Sequence, residues 1–289
     1  MKVAKIISMI FLCSSMSYAQ GLKDLLSKDE TPKYVTSTFK STRIVTAQSV
    51  RTLSKGNLDF RMSHRFGSVE NGLYDLFGLD QAIARFAFDY GVTDDLMVGV
   101  GRTSANKIYD GFIKYKILKQ EIDGGMPITL AWNSLMEIKT QKQTQSNFPY
   151  SGRIAYAHQL MIARKFTKSF SMQLTPSIVH FNMIEDRDGE NTRFALGTGF
   201  RYKLSNRVSI NAEYFIRLNE DDLDLVPTSK PYQNALSIGF DIETGGHVFQ
   251  LHFSNSRNMT DASYIDRTTG DIGDGGIYFG FNFTRTFKL

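Results

Sequence analysis

From Gly56 to the last residue, apolar and polar side chains alternate in repeated long runs. In one run Phe194, Leu196, Phe200 and Tyr202 occupy even-numbered positions, and small or basic residues occupy most of the odd-numbered ones. A period of two residues places successive side chains on opposite faces of a β-strand. Runs of about 9 to 12 residues are long for a globular strand but match a tilted strand that crosses a membrane. The alternation therefore predicts membrane-spanning strands.

Twelve such runs can be counted along the chain. They cover about 56–67, 80–91, 95–104, 107–119, 127–138, 152–166, 169–181, 192–204, 207–218, 232–243, 247–255 and 276–288. Every second connection is tight, at 92–94, Gly124-Gly125, 167–168, 205–206 and 244–246. The connections between them are 68–79, 105–106, 139–151, 182–191, 219–231 and 256–275, and all but the second are longer and rich in charge.

Tight turns at one end and long loops at the other are typical of outer-membrane barrels. The sequence thus predicts an all-β fold, a closed antiparallel transmembrane β-barrel of 12 strands with short periplasmic turns and longer extracellular loops. The loops 182–191, 219–231 and 256–275 are expected at the cell surface. A soluble lipocalin-like barrel or β-sandwich is the alternative, but it requires neither alternating loop lengths nor strands of this length.

The N-terminus has the pattern of a secretory signal peptide. Lys2 and Lys5 precede a short apolar run, and Ser17-Tyr18-Ala19 offers small residues for cleavage. We predict that residues 1–19 are removed and that the mature protein is exported to the bacterial outer membrane. The apolar run is too short to span a bilayer, which needs about 20 residues.

Composition narrows the classes of function. Cys13 is the only cysteine and lies in the predicted signal peptide, so the mature chain offers no disulfide and no Cys-based metal site. Without Lys2 and Lys5, 32 basic residues face 29 acidic ones. This small excess argues against nucleic acid as a partner. The expected partners are outer-membrane lipid, lipopolysaccharide and, during biogenesis, the barrel-assembly machinery; the oligomeric state is left open.

Several segments also resemble a known family. These are "LDFRMSHRFG", "DYGVTDDLMVGVGR", "YDGFIKYK", "HQLMIARKF", "RYKLSNRVSINAEY" and "SIGFDIETGGHVFQLHFSNSRNMT". They are similar to an outer-membrane β-barrel family of Gram-negative bacteria that is classed as a domain of unknown function. The resemblance runs from about Thr38 to the C-terminus. It implies the porin-like barrel fold and brings no activity, substrate or catalytic residue. Separately, the closing strand is rich in phenylalanine and resembles the signal that the barrel-assembly machinery reads.

Placing the apolar face towards lipid turns the polar face into the lumen. The basic residues predicted inside are Arg61, Arg65, Arg85, Lys114, Lys116, Arg153, Lys165, Arg193, Arg201, Lys203, Arg217 and Lys288. The acidic residues facing them are Asp59, Asp89, Glu137, Glu213, Asp241 and Glu243. One interpretation is that these charges pair across strands and fill the barrel. The other is a narrow pore that prefers anions, because low-dielectric walls focus the remaining positive field.

The motif search predicts neither cofactor nor metal. The acidic residues in loops 182–191 and 219–231 are interpreted as solvated, with cation bridging to lipopolysaccharide as the alternative. Asp266, Asp271 and Asp274 lack the spacing of an EF-hand. No P-loop, HExxH, Gly-x-Ser-x-Gly or dinucleotide fingerprint is present.

Residues 20–55 precede the first clear strand. A thirteenth strand here would put the N-terminus outside the cell, so we interpret the segment as periplasmic or as a plug folded into the lumen. The sequence leaves both alternatives open.

His252 and Ser254 form a His-x-Ser-Asn run that is similar to the active-site run of some outer-membrane lipid hydrolases. Alternation with Phe249, Leu251 and Phe253 points both polar side chains inward, away from the lipid esters. Asp241 is expected diagonally across from His252. We predict that His252 and Ser254 belong to a hydrogen-bond network in the lumen.

The predicted function is therefore a non-enzymatic outer-membrane barrel with a polar, basic lumen, either a small-solute or anion channel or a structural and binding protein. Its candidate lumen or binding residues are Arg61, Arg65, Arg85, Lys114, Lys116, Arg201, Arg217, Asp241, His252 and Ser254. The alternative is an outer-membrane lipid esterase built on His252 and Ser254.

Overall fold

The protein, seen in a computed structural model, is a closed barrel of 12 antiparallel strands. The structure describes residues 33–142, 149–184, 190–219 and 232–289. The strands are β1 (Asn57–Ser68), β2 (Ala82–Gly91), β3 (Leu96–Thr103), β4 (Ile108–Leu118), β5 (Thr129–Lys139), β6 (Ile154–Lys165), β7 (Phe170–Phe181), β8 (Thr192–Lys203), β9 (Val208–Arg217), β10 (Ala235–Thr244), β11 (His247–Ser254) and β12 (Tyr278–Lys288). The predicted fold and strand number are confirmed.

Each strand pairs with its neighbours in the chain, and β1 closes the barrel against β12. This seam runs from Asn57 opposite Lys288 to Ser68 opposite Tyr278. Closure leaves no strand edge with unpaired N–H and C=O groups, which a bilayer could not satisfy. Among the described helices, none has both the length and the apolarity to cross a membrane.

Burial alternates along the strands as the sequence predicted. In β1, Asp59, Arg61 and Arg65 point inward and are buried, while Phe60 and Phe66 point outward. The outward faces of most strands carry large apolar side chains that are about half exposed, including Val100, Ile113 and Phe253. A surface of this kind suits contact with lipid acyl chains.

Residues 38–53 lie inside the barrel, and we call them the plug segment. The chain enters beside the β4–β5 connection, where the N–H of Val35 bonds the carbonyl of Gln120, and leaves directly before β1. Within the lumen it folds back as a tight hairpin: the N–H of Ile44 bonds the carbonyl of Ala47, and Arg43 pairs with Gln48. Both ends of the plug segment thus lie at the end of the barrel that carries the short turns.

Residues 256–268 enter the lumen from the opposite end, and we call them the inner loop. They contain a short helix, α1 (Asp261–Asp266), all of whose residues are buried. The expectation that 256–275 lies at the surface is therefore wrong for most of this loop; its exposed residues are 269 and 271–274. The inner loop folds inward because the wall supplies hydrogen-bond partners for Ser263 and Tyr264 and an apolar surface for Tyr264 and Ile265.

The two insertions pack against the wall in two apolar clusters. In the first, Phe39, Ile44 and Val50 of the plug segment pack with Ala131, Met161 and Ala163 of β5 and β6. In the second, Tyr264 and Ile265 pack with inward-facing apolar residues of several strands. The rings of Tyr264 and Phe215 meet edge to face, with centroids 5.9 Å apart. Burying these side chains adds hydrophobic stabilisation to the hydrogen bonds described below.

Three earlier expectations fall on residues outside the described part of the chain. They are the signal peptide at 1–19 and the surface position expected for the loops 182–191 and 219–231, of which 185–189 and 220–231 are not described. These stay predictions. The predicted boundary at 55–56 lies close to Asn57, where β1 begins.

Candidate functional site

The tip of the plug segment is held by one buried carboxylate of β9. Glu213 accepts hydrogen bonds from three successive backbone N–H groups, those of Val45 (3.0 Å), Thr46 (2.8 Å) and Ala47 (3.1 Å). Successive N–H groups that converge in this way form a concave site for an anion. Glu213 was predicted to face the lumen, but its role as the anchor of the hairpin tip was not.

Two further strands hold the arms of the hairpin. The ammonium group of Lys114 in β4 donates to the carbonyls of Thr42 (3.0 Å), Ser49 (2.9 Å) and Arg51 (3.3 Å). The side-chain amide of Gln173 in β7 accepts from the N–H of Val50 (2.9 Å) and donates to the carbonyl of Gln48 (2.8 Å). The buried Lys114 ammonium group therefore has a peptide carbonyl as acceptor for each of its three N–H donors.

The last two strands hold the tip from the other side. Gln250 donates to the carbonyl of Ile44 and to Asp241, each at 2.8 Å, and Asn282 donates to the carbonyl of Val45 at 2.9 Å. Five wall side chains in β4, β7, β9, β11 and β12 thus bond the main chain of the plug segment. These contacts depend on its backbone conformation rather than on its side chains.

The plug segment and the inner loop meet in a buried ion pair. The guanidinium of Arg43 donates to both oxygens of Asp261, at 2.9 and 3.2 Å, and to the carbonyl of Thr46. Gln48 also reaches Asp261, at 3.3 Å. A paired carboxylate and guanidinium tolerate burial only together, so each insertion supplies the charge that the other needs.

Tyr264 anchors the inner loop to the wall. Its hydroxyl lies 2.7 Å from that of Ser237 in β10, and Ser263 donates to Glu137 at 2.8 Å. Burial raises the pKa of the Tyr264 phenol well above its usual value, and the neighbouring Glu213 carboxylate raises it further. The phenol therefore stays protonated and remains a hydrogen-bond donor.

The predicted lumen residues Arg61 and Arg65 also contact the plug segment. Arg61 donates to the hydroxyls of Ser41 (2.7 Å) and Thr42 (2.8 Å), and Arg65 donates to the hydroxyl of Thr46 (3.0 Å). With Lys114, three of the ten candidate residues thus hold the plug segment directly.

The remaining basic candidates lie apart from the hairpin tip. Arg85 forms a two-armed ion pair with Asp110 on the wall, and Arg217 lies 3.4 Å from Asp266 of the inner loop. Arg201 faces Glu243 at 3.8 Å near the short-turn end, where Lys116 is partly exposed.

Charge in the lumen is close to balanced among the described residues. The buried basic residues are Arg43, Arg61, Arg65, Arg85, Lys114, Arg193, Arg201 and Arg217. The buried acidic residues of the lumen are Asp59, Asp89, Asp110, Glu137, Glu213, Asp241, Asp261 and Asp266. The sequence pattern predicts twelve basic and six acidic strand residues in the lumen. That set omits Asp110 and the two insertions, and it includes residues such as Lys116 and Lys288 that are not buried.

His252 and Ser254 both point inward. In the part of the chain that the structure describes, they form no hydrogen bond with each other. Ser254 accepts from Ser237 (2.9 Å) and donates to the carbonyl of Leu236 (3.1 Å). Both ring nitrogens of His252 are buried and meet no hydrogen-bond partner in the described part of the chain. Asp241 lies diagonally opposite His252, as expected from the register, yet its partner is Gln250. The arrangement lacks the Ser–His contact that a nucleophile requires.

A polar pocket of about 200 Å³ opens beside Lys40, Arg51, Asp59 and Glu243 at the short-turn end. Lys40 bonds Glu243 across it at 2.7 Å. Within the described ranges no group of three or more His, Cys, Asp or Glu residues is arranged to hold a metal ion.

Sequence reasoning missed several residues of this site. Asp110 shares the inward parity of Lys114 on β4, so the alternation could have found it. Gln173 and Asn282 also lie on inward faces, but uncharged side chains give no separate signal. Arg43 and Asp261 lie in segments without periodicity, and nothing in the sequence indicates that they meet.

Residues 39–287 match the family described as "Membrane bound beta barrel domain (DUF5777)". The chain belongs to this family. The match begins inside the plug segment and ends in β12, so the family's sequence pattern includes the plug segment together with the wall. No curated protein matches the chain.

The chain is also similar, at low sequence identity, to several solved structures of outer-membrane proteins. An outer membrane channel from Pseudomonas putida F1 is 12% identical with a TM-score of 0.47, covering 82% of this chain and 98% of that one. Salmonella typhi OmpF in complex with daunomycin is 8% identical with a TM-score of 0.39, covering 80% and 97%. The CymD monoaromatic hydrocarbon channel is 9% identical with a TM-score of 0.36, covering 82% and 90%.

Wild type and the Ser254→Ala variant of this family member are expected to show the same level of ester hydrolysis. Ser254 bonds Ser237 and Leu236 instead of a base. Losing these contacts should lower the free energy of unfolding by about 1 kcal/mol and should not change ester hydrolysis. Purified wild type and Ser254→Ala would be assayed on phospholipid, lipid A and short-chain esters. Hydrolysis by the wild type that disappears in Ser254→Ala would contradict this prediction.

Proposed function

We propose that this protein is a non-enzymatic barrel of the bacterial outer membrane whose lumen is a path for small polar solutes, closed at rest by the plug segment. Membership in a membrane-bound barrel family and the apolar outward face support the bilayer location. We further propose export through cleavage of residues 1–19, contact with outer-membrane lipid and lipopolysaccharide, and insertion by the barrel-assembly machinery.

One observation carries this proposal: several buried polar side chains of the wall bond the main chain of a single continuous segment. Lys114, Gln173 and Glu213 each bond two or more main-chain groups of the plug segment. A purely structural barrel could satisfy such groups from strand to strand. Here the displacement of one hairpin, tethered at the short-turn end, would uncover all of them together.

Barrel size supports the same function. Barrels of about 8 strands are filled by their own side chains, whereas those of about 16 leave an aqueous channel. A 12-stranded barrel lies between these limits, so its wall side chains alone leave space that the plug segment and the inner loop occupy. Solute passage then requires movement of the plug segment. The anion preference predicted from the wall residues stays a prediction for the open state.

The proposal predicts that weakening the plug contacts opens the barrel. In planar bilayers the wild type should show no sustained conductance, while the double variant Gln173→Ala, Glu213→Ala should show stepwise openings, because the hairpin loses five main-chain hydrogen bonds. Gln159→Ala is the matched control: Gln159 is equally buried in β6 but bonds Asn133 of the wall. Equal conductance in the double variant and this control would overturn the proposal.

A further inference from the structure

We infer that the emptied lumen is a binding site for short peptides, and that the plug segment is its built-in ligand. The inference rests on the proposed function, since it concerns the site that the displaced hairpin would uncover. It follows from the atoms of the plug segment that the wall side chains bond, which are mainly N–H and C=O groups of the main chain.

The wall groups are matched to peptide groups in both polarity and spacing. The Glu213 carboxylate accepts from three consecutive amide N–H groups at the turn, a set that one tight turn of peptide presents together. The Lys114 ammonium has three donors and meets three peptide carbonyls, one on the first arm and two on the second. Acceptor and donor thus lie where a hairpin presents its N–H and C=O groups.

Gln173 gives the most specific indication of ligand class. Its primary amide accepts from the N–H of Val50 and donates to the carbonyl of Gln48, so it pairs with the peptide backbone much as a neighbouring strand would. Gln250 and Asn282 donate to the carbonyls of Ile44 and Val45. Sugar hydroxyls or simple anions do not offer N–H and C=O groups at this repeat.

The wall also leaves space for the side chains of such a peptide. Gly199 faces Ile44 so closely that a Cβ atom on residue 199 would lie 2.2 Å from the Ile44 Cδ1 atom. Ala131, Ala163 and Met161 complete a small apolar pocket around Ile44, Val50 and Phe39. The site therefore combines main-chain recognition with a pocket for aliphatic or aromatic side chains.

The test uses the full chain, folded before it is cut. A protease site is inserted at the exposed residues Ser54 and Lys55, between the plug segment and β1. After cleavage, the segment is expected to stay bound during gel filtration in detergent, and mild denaturant should release it while the barrel keeps its heat-modifiable migration. A fluorescent peptide of residues 34–53 should then rebind, measured by anisotropy.

Ester analogues of that peptide test main-chain recognition. Replacing Val45 by α-hydroxyisovalerate removes one N–H that Glu213 accepts and keeps the side chain; binding should weaken about tenfold or more, because hydrogen bonds to charged groups are the strong ones. The same change at Leu53, whose N–H donates to no wall side chain among the residues that the structure describes, is the matched control. Equal affinity of the two esters, or competition by oligosaccharides as effective as by peptides, would overturn the inference.

The two proposals can fail separately. A barrel that rebinds the peptide but never conducts, with the segment bound or released, overturns the solute path and supports the peptide site. A barrel that conducts after release, yet does not bind the peptide, overturns the peptide site alone.

Discussion

Deletion of residues 34–53 is expected to convert a closed barrel into a conducting one, the largest functional change that this structure predicts. The plug segment fills the short-turn half of the lumen and supplies Arg43, the partner of Asp261. Without it, Asp261 would be a buried carboxylate lacking its cation, which costs several kcal/mol and favours hydration or outward movement of the inner loop. Water would then connect both ends of the barrel.

Single-channel recording in planar bilayers measures this effect directly. Wild type should give a flat trace, and the deletion variant should give long-lived steps whose size grows with salt concentration. Folding of the variant is checked by its heat-dependent migration and by the fluorescence of Trp132, the only tryptophan in the chain. A folded deletion variant that remains silent would show that the inner loop alone closes the lumen.

The largest expected effect on stability is at the ion pair between the two insertions. Arg43→Ala and Asp261→Ala should each lower the free energy of unfolding by about 3–5 kcal/mol, because each leaves one buried charge alone. Both side chains are almost fully buried, and their contacts at 2.9 and 3.2 Å are two-armed. The double variant should lose less than the sum of the two, since neither charge remains.

Urea unfolding in detergent, followed by Trp132 fluorescence, measures these differences. Lys40→Ala is the comparison: the Lys40–Glu243 pair also joins the plug segment to another part of the protein, but it is partly exposed. Its loss should cost about 0–1 kcal/mol. Additive effects in the Arg43 and Asp261 cycle would contradict direct coupling between the two insertions.

The wall of this barrel could be predicted from the sequence, whereas its contents could not. Alternation placed Arg61, Lys114 and Glu213 on inward faces, because a strand offers a side chain only two directions. The plug segment has no such period: its hairpin depends on contacts with strands far away in the chain, such as Glu213 and Asn282. The inner loop is similar, since charge and polarity in 256–268 suit solvent as well as a polar lumen.

The absence of a sequence pattern in the inserted segments also explains why the lumen was predicted to be more basic than its buried residues are. Inward parity identified the basic wall residues one by one, but net charge in a closed volume depends on everything that enters it. Asp261 and Asp266 come from a loop that local pattern would place in water. A prediction of the net charge of a lumen from the strands alone therefore omits the charges that inserted segments bring into it.

The position of the plug segment also bears on how the barrel can assemble. It directly precedes β1, and β1 pairs with β12, so the seam joins the first and the last of the described strands. The hairpin is bonded by β4, β7, β9, β11 and β12, which together surround it. A closed wall would leave it only the short-turn opening as an entrance. The strands can instead wrap around the hairpin as they are added, so that it acts as an internal template and the seam closes last.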